Sequence, residues 1–206
     1  MVHGDNNGLV LPPRVAPIQV MIIPIQQQKP GVLDKANEVM EQLKAAGIRA
    51  KVDASDKTPG WKFSDAEMRG IPLRIEIGPR DIENNACVIA KRNDGTKNTY
   101  SLDETLPDTI NKLLDTIHDQ MYQKALKHRD ENIRQATTYD QFKDIIATKG
   151  GYVKIMWCGD EECENKIKAD TTATSRCIKE DEEAFSDVCP VCGKPAKKVV
   201  YFAKSY

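Results

Sequence analysis

The chain has 206 residues, is 40% hydrophobic and 30% charged, and carries a formal net charge of −1. That size suits one globular domain with a smaller second one, and the near-neutral balance excludes a general polyanion binder that relies on a large basic excess. It contains no apolar run of 18 residues, so no membrane-spanning helix is expected. Its start, MVHGDNNGLVLPPR, does not read as a signal peptide, and its six Cys point to thiols or metal ligands rather than a disulfide framework.

Residues 1–17 end in Leu11-Pro12-Pro13-Arg14-Val15-Ala16-Pro17, which reads as extended or irregular chain rather than a domain start. Ile18 to Ile25, IQVMIIPI, is a short apolar run of the kind a buried strand needs, with Pro24 marking its end. Val32, Leu33, Ala36, Val39, Met40 and Leu43 then fall at helical spacing up to a stop at Gly47, and Ile48 to Val52 reads as a second strand. Strand, helix and strand at this spacing predict a right-handed unit with a parallel pair. No glycine-rich phosphate loop follows the first strand, which argues against a dinucleotide site.

The stretch Pro59 to Asp81, PGWKFSDAEMRGIPLRIEIGPRD, combines a short helix with a strand. Ser64 is the expected N-cap, with Glu67 three residues on, and Gly70-Ile71-Pro72 stops the helix. Ile71, Leu73, Ile75 and Ile77 alternate with Pro72, Arg74, Glu76 and Gly78, which predicts a strand with one buried face and one charged, wet face. Ala86 to Arg92 is a further strand, Asn93-Asp94-Gly95-Thr96 a hairpin turn, and Lys97 to Leu102 the returning strand. Cys87 is expected to be a packed thiol. A long helical pattern runs from about Leu106 to Arg134, with Pro107 in its first turn and with His118 and His128 as surface or packing residues. A shorter helix covers Tyr139 to Ile146. The sum is an α/β fold: a mixed five-stranded sheet flanked by helices over residues 18–130, a helical connector over 131–150, and a small α+β module over 151–206.

That last module holds the cysteines. Val153 to Trp157 reads as a strand, followed by Cys158 and Cys163, a gap of 25 residues, and then the knuckle Cys189-Pro190-Val191-Cys192-Gly193. Two such pairs suit a closed, four-thiolate structural zinc site, with a disulfide pair or free thiols as the alternatives. Cys177 fits neither pair and is read as structural. Glu180 to Glu183 is read as a solvated acidic face.

Three segments, in order, resemble one family. Pro59 to Asp81 aligns without a gap with the anticodon-binding domain of prolyl-tRNA synthetases, whose pattern is roughly P-G-W/F-K-F-x-x-x-E-x-[KR]-G-[VI]-P-x-R-x-E-x-G-P-[KR]-D. Residues 1–17 resemble the end of that family's catalytic domain, just after the third class II signature motif. The cysteine spacing, Pro195-Ala196-Lys197-Lys198 and the terminal Tyr206 resemble the zinc-binding C-terminal domain of one class of these enzymes. The resemblance implies that Cys158, Cys163, Cys189 and Cys192 hold a structural Zn²⁺. It further implies that Glu67, Arg74, Arg80 and Asp81, with Lys97 as a fifth, read the two guanines of the UGG anticodon of tRNA(Pro). Phe63 and Trp61 are candidates to stack on a base, with packing favoured for Trp61. The family's ATP- and proline-binding residues lie upstream and have no counterparts here, so no catalytic residue is assigned and the segment alone is expected to be non-catalytic. The whole enzyme would be a cytoplasmic homodimer that charges tRNA(Pro) with proline using ATP and Mg²⁺. This segment would then work alongside the catalytic domain of the same polypeptide, with no membrane partner, and by itself a monomer is expected. Tyr206 and its carboxylate are expected to dock near the active site. Two alternatives remain at this point. One is a free-standing zinc-containing RNA-binding or interaction module, and the other is a zinc-ribbon structural protein, which leaves Glu67 to Lys97 unexplained.

Overall fold

A computed structural model describes residues 3–204. The expectations that rest on Met1, Val2, Ser205 and Tyr206 lie outside those residues. The chain divides into two compact units, Met1–Gln123 and Lys124–Tyr206.

The first unit opens with a small antiparallel ribbon, β1 (Gly4–Asp5) and β2 (Gly8–Leu9). Next come β3 (Val20–Pro24), α1 (Val32–Ala45) and β4 (Ala50–Val52), with β3 and β4 parallel as the spacing predicts. The helix α2 (Pro59–Met68) begins earlier than the Ser64 cap expected from sequence. Thr58 is the cap. Its side-chain oxygen accepts the Trp61 N–H at 3.4 Å, and Pro59 occupies the first turn, where a missing N–H costs no helical bond. β5 (Leu73–Ile77), the short α3 (Pro79–Glu83), β6 (Ala86–Lys91), β7 (Lys97–Ser101) and the long α4 (Leu106–Glu131) complete the elements. The sheet has the order β4-β3-β5-β6-β7, parallel across β4-β3-β5 and antiparallel from there on.

One face of this sheet carries the main core. Val20, Ile22, Leu73, Ile75, Ile77, Cys87 and Ile89 pack with Ala36, Val39 and Leu43 of α1 and with Leu106, Ile110, Leu114 and Ile117 of α4. Cys87 is fully buried here, and burial pushes its thiol up to about 12, as expected of a packed and inert cysteine. The opposite face is covered only in part. Met21 and Ile23 of β3 meet Ala66 of α2 and Ile71, with Phe63 alongside. Beyond them, the side chains that β5, β6 and β7 direct to this face are Arg74, Glu76, Val88, Ala90, Lys97 and Thr99, since Arg74 pairs with Ala90, Glu76 with Val88, Ala90 with Lys97 and Val88 with Thr99. Lys97 and Thr99 are exposed.

The second unit is a four-stranded sheet of order β10-β11-β9-β8, built from β8 (Ile133–Gln135), β9 (Tyr152–Trp157), β10 (Ala173–Ile178) and β11 (Lys198–Lys204). β8 and β9 are parallel and the other pairs antiparallel. The helices α5 (Tyr139–Thr148) and α6 (Glu161–Thr171) cover one face, where Phe142, Ile145 and Ile146 meet Val153, Ile155, Ile167, Val200 and Phe202. β8 lies in the stretch read from sequence as helical connector. At three residues it is too short to show a period-2 pattern.

Candidate nucleic-acid interface and candidate metal centre

Three of the five residues assigned by resemblance to base reading come together on the uncovered part of the first sheet. The Arg74 guanidinium donates to Glu67 Oε1 at 3.0 Å through Nη1 and to Glu76 Oε1 at 3.1 Å through Nε. Lys97 Nζ donates to the same Glu76 oxygen at 3.1 Å. The Phe63 ring lies against both cations, with Arg74 4.2 Å and Lys97 5.2 Å from its centroid. Cations stacked on an aromatic face gain about 1–2 kcal/mol when partly desolvated. The cluster is therefore two carboxylates, two cations and one aromatic ring on three elements.

The face is less wet than the alternation suggested. The Arg74 side chain is 6% exposed and that of Glu76 15%, because Phe63 and Glu67 of α2 fold over them. A buried guanidinium needs fixed acceptors, and the two carboxylates supply them. Glu67 and Lys97 remain 42% and 48% exposed. The outer layer thus presents one carboxylate acceptor and one ammonium donor, held from below by Arg74 and Glu76.

Arg80 and Asp81 lie on α3, directly after β5. The Asp81 Oδ2 atom accepts the Gly78 N–H at 2.7 Å and so caps its own helix. Arg80, one residue earlier, is exposed. Trp61, for which packing was favoured, is half exposed instead, with Lys57 Nζ 5.6 Å from its ring centroid. On α2 it sits one residue before the buried Lys62, which bonds the Asp53 carbonyl at 2.8 Å, so the helix turns Trp61 outward. Sequence reasoning missed Glu76 as the acceptor shared by Arg74 and Lys97. The signal was its place two residues after Arg74, on the same face of β5.

A second group on this unit fixes the ribbon at its start. The buried Arg92 donates twice to the Asp5 carboxylate at 2.7 Å and also to the Glu67 carbonyl at 2.8 Å. The hydrogen bonds from Arg92 hold the Asp5 carboxyl well below the usual carboxylate range.

In the second unit the four cysteines assigned to the metal converge. The Sγ atoms of Cys158, Cys163, Cys189 and Cys192 all lie within 4.8 Å of one another. The Cys158–Cys163 separation is 3.7 Å and the Cys158–Cys192 separation 3.6 Å. A tetrahedral ion with metal–sulfur bonds of about 2.3 Å sets sulfurs about 3.8 Å apart, so the spacing suits four thiolates on one ion and excludes disulfide bonding at about 2.05 Å. The knuckle is closed by the Gly193 N–H donating to the Cys189 carbonyl at 2.8 Å, and Cys163 rides on the first turn of α6. Burial raises the Cys158 and Cys163 thiols, whereas the Lys194 backbone N–H lowers that of Cys192. A dication among them would favour the thiolate at every position. The two ligand loops are tied together by Lys194 Nζ, 2.8 Å from Asp160 Oδ2, and Asp160 also caps α6.

Cys177 stands apart from this cluster, exposed on β10 where the pairing with β11 shifts register. The acidic run expected to be a solvated face is only partly so. Glu182 is half-buried, accepts from Lys154 at 2.5 Å and from the Tyr201 hydroxyl at 2.8 Å, and lies over a sheet face rather than in solvent.

Comparison with known proteins adds to this geometry. Residues 19–113 match the family described as anticodon binding domain, and residues 139–206 match the family described as prolyl-tRNA synthetase, C-terminal. Over its whole length the chain is 59% identical to the proline–tRNA ligase of Lachnospira eligens, 55% to that of Acetoanaerobium sticklandii and 53% to that of Clostridium botulinum strain Loch Maree. It spans 43% of the length of each of these relatives.

Proposed function

The chain belongs to the prolyl-tRNA synthetase family, and from that premise we propose that it is the tRNA-reading and C-terminal portion of a proline–tRNA ligase. The whole ligase would activate proline with ATP and Mg²⁺ in a catalytic domain of the same polypeptide, as a cytoplasmic homodimer, and transfer it to tRNA(Pro). The first unit would bind the anticodon loop and the second would be held together by zinc. In that division the unit ending at Gln123 is the reader, the unit from Lys124 on is the zinc domain and includes β8 and α5 of the stretch 131–150, and 1–17 lead in from the catalytic domain.

The observation that carries this reading is the exposed Glu67–Lys97 pair above the Arg74–Glu76 layer. A guanine in a single-stranded loop offers N1–H and N2–H donors on one edge and O6 and N7 acceptors on another. Glu67 suits the donor edge and Lys97 the acceptor edge. Arg74 holds Glu67 in place, and Glu76 holds Lys97. Arg80 and Asp81 offer a second cation and a second carboxylate beside β5 for the other guanine. The Asp81 oxygen that does not cap Gly78 is the one left for a base. Free-standing action is not favoured, because the similarity to ligases extends over the entire chain.

For the metal, Zn²⁺ fits best: four thiolates with no further ligand position make a closed tetrahedral site, which holds a fold and does no chemistry. The ion would supply that cross-link between the β9–α6 loop and the knuckle.

The test is binding of the chain to tRNA(Pro) transcripts with the UGG anticodon beside transcripts in which either guanine is replaced. Direct reading predicts a loss of about 1–3 kcal/mol for each replaced base. Equal binding to all transcripts would sink it.

A further inference from the structure

The second unit has a feature that neither the metal cluster nor base reading uses. On the sheet face opposite α5 and α6 lies a solvent-open groove of about 950 Å³. Among the described residues its floor includes Ile133, Tyr152 and Tyr201, and its walls carry Arg129, Arg134, Lys154, Arg176 and Lys179 together with Asp130 and Glu182. Among the described residues five cations and two carboxylates line it, in a chain whose net charge is −1. Charge of one sign gathered in a concave site focuses the local field well above that of the same charges spread over a convex surface.

The two carboxylates are already engaged. Glu182 accepts from Lys154 and Tyr201 and lies 3.6 Å from Lys179, and Asp130 lies 2.7 Å from Arg129. Arg134 donates to the Gly150 carbonyl, which leaves its charge uncompensated by an anion among the described residues. Burial and the neighbouring Glu182 push Tyr201 up to about 12, so its hydroxyl stays protonated and bound to that carboxylate. Tyr152 stays exposed at the groove.

We infer that this groove is a second RNA-binding site, which takes the sugar–phosphate backbone of the tRNA through Arg129, Arg134 and Lys179. Guanidinium groups match phosphate oxygens in pairs, and an exposed tyrosine beside a cationic track is what an unpaired or terminal base stacks on. The contact carries no base specificity, because phosphates report no sequence. It adds affinity and salt dependence to the base reading done by the first unit. The inference rests on the tRNA reading above, which supplies the polyanion.

The experiment uses the full 206-residue chain. Arg129→Glu with Lys179→Glu reverses two groove cations whose side chains are 60% and 65% exposed, so folding is not at stake. Lys166→Glu with Lys168→Glu makes the same charge change on α6, on the other face of the sheet. Binding to tRNA(Pro) is measured between about 50 and 200 mM salt, with the UGG anticodon and with each guanine replaced. Each lost phosphate contact lowers the slope of log K against log salt by about 0.7–0.9. The groove variant is expected to bind at least about tenfold more weakly at low salt, with a slope about 1.5 smaller, and to keep its preference for the guanines. The α6 variant is expected to match the unaltered chain. Arg134→Gln, a neutral change, is expected to lower the slope by about one contact. Unchanged affinity and slope in the groove variants would overturn this site and leave anticodon reading standing, as would equal losses in the groove and α6 variants. An unaltered chain that ignores the anticodon bases would instead sink the function on which the site depends.

Discussion

Asp5 and Arg92 stand 87 positions apart and meet in two hydrogen bonds of 2.7 Å. The pair closes the entry ribbon over the C-terminal end of α2, and the same guanidinium holds the Glu67 carbonyl. It therefore links the first described residues to a helix that carries part of the candidate interface.

The pair makes stability depend on pH. The Asp5 carboxyl is depressed by its hydrogen bonds to Arg92, so the folded chain binds that proton less readily than the unfolded one. A depressed carboxyl contributes stability above its unfolded pKa, about 3.9, and loses it as pH falls toward the folded value. Asp5→Asn should lower the melting temperature at pH 7, and the gap to the unaltered chain should close as pH falls below about 4. Melting curves from about pH 7 down to about pH 3 check this. A gap independent of pH would mean that the contribution is packing, not charge.

Gly70 and Gly8 meet this same corner. Gly70 has φ +69°, and a Cβ there would sit 2.7 Å from the backbone of Leu9. Gly8, at φ +125°, would meet Met68 backbone at 2.6 Å. Gly70→Ala combines an unfavourable backbone region with a clash against main chain that has no side chain to swing aside. A loss of about 2–3 kcal/mol is expected, measured by urea unfolding. A change below about 0.5 kcal/mol would show that the ribbon yields at little cost.

The cysteine cluster gives a contrast between six thiols in one chain. Cys189→Ser removes one of four converging thiols, so for the proposed zinc site the metal content should fall from one per chain to a small residue and the second unit should lose its cooperative melting. Cys177→Ser touches an exposed residue outside the cluster, and Cys87→Ser one buried in the first unit. Both should keep full metal content. Elemental analysis after dialysis, with calorimetry, distinguishes them. Metal retained in Cys189→Ser would reject the four-thiolate site.

The first sheet was largely legible because its strands and helices carry regular apolar spacing bounded by turn residues. The alternation of Leu73, Ile75 and Ile77 and the helical spacing of Val32 to Leu43 point to β5 and α1 with their buried faces. Errors arose where tertiary contacts outweigh local pattern. Thr58 caps α2 because Pro59 begins it, not Ser64. Arg74 is buried because Phe63 of a neighbouring helix covers it, which no alternation along β5 reveals. In the second unit, β8 and β11 are joined to β9 across long stretches of intervening chain, and β8 is three residues long, so neither carried a clear period. The four metal-site cysteines were legible in their spacing. Their convergence could only come from the fold of the β9–α6 loop and the knuckle.

At the interface the layered arrangement separates two kinds of residue. Glu67 and Lys97 face outward, and their neutral variants Glu67→Gln and Lys97→Met should each reduce discrimination against a replaced guanine by about 1–3 kcal/mol. Glu76→Gln acts indirectly. It weakens the hold on Lys97 and leaves Arg74 with one carboxylate, so the loss should be smaller and should disappear in a chain that already lacks Lys97. A double-mutant cycle between Glu76→Gln and Lys97→Met measures this directly. A coupling energy near zero would mean that Glu76 supports Arg74 alone. Coupling of about 0.5 kcal/mol or more, with most of the Glu76 effect absorbed, would place it as the residue that aims Lys97 at the base.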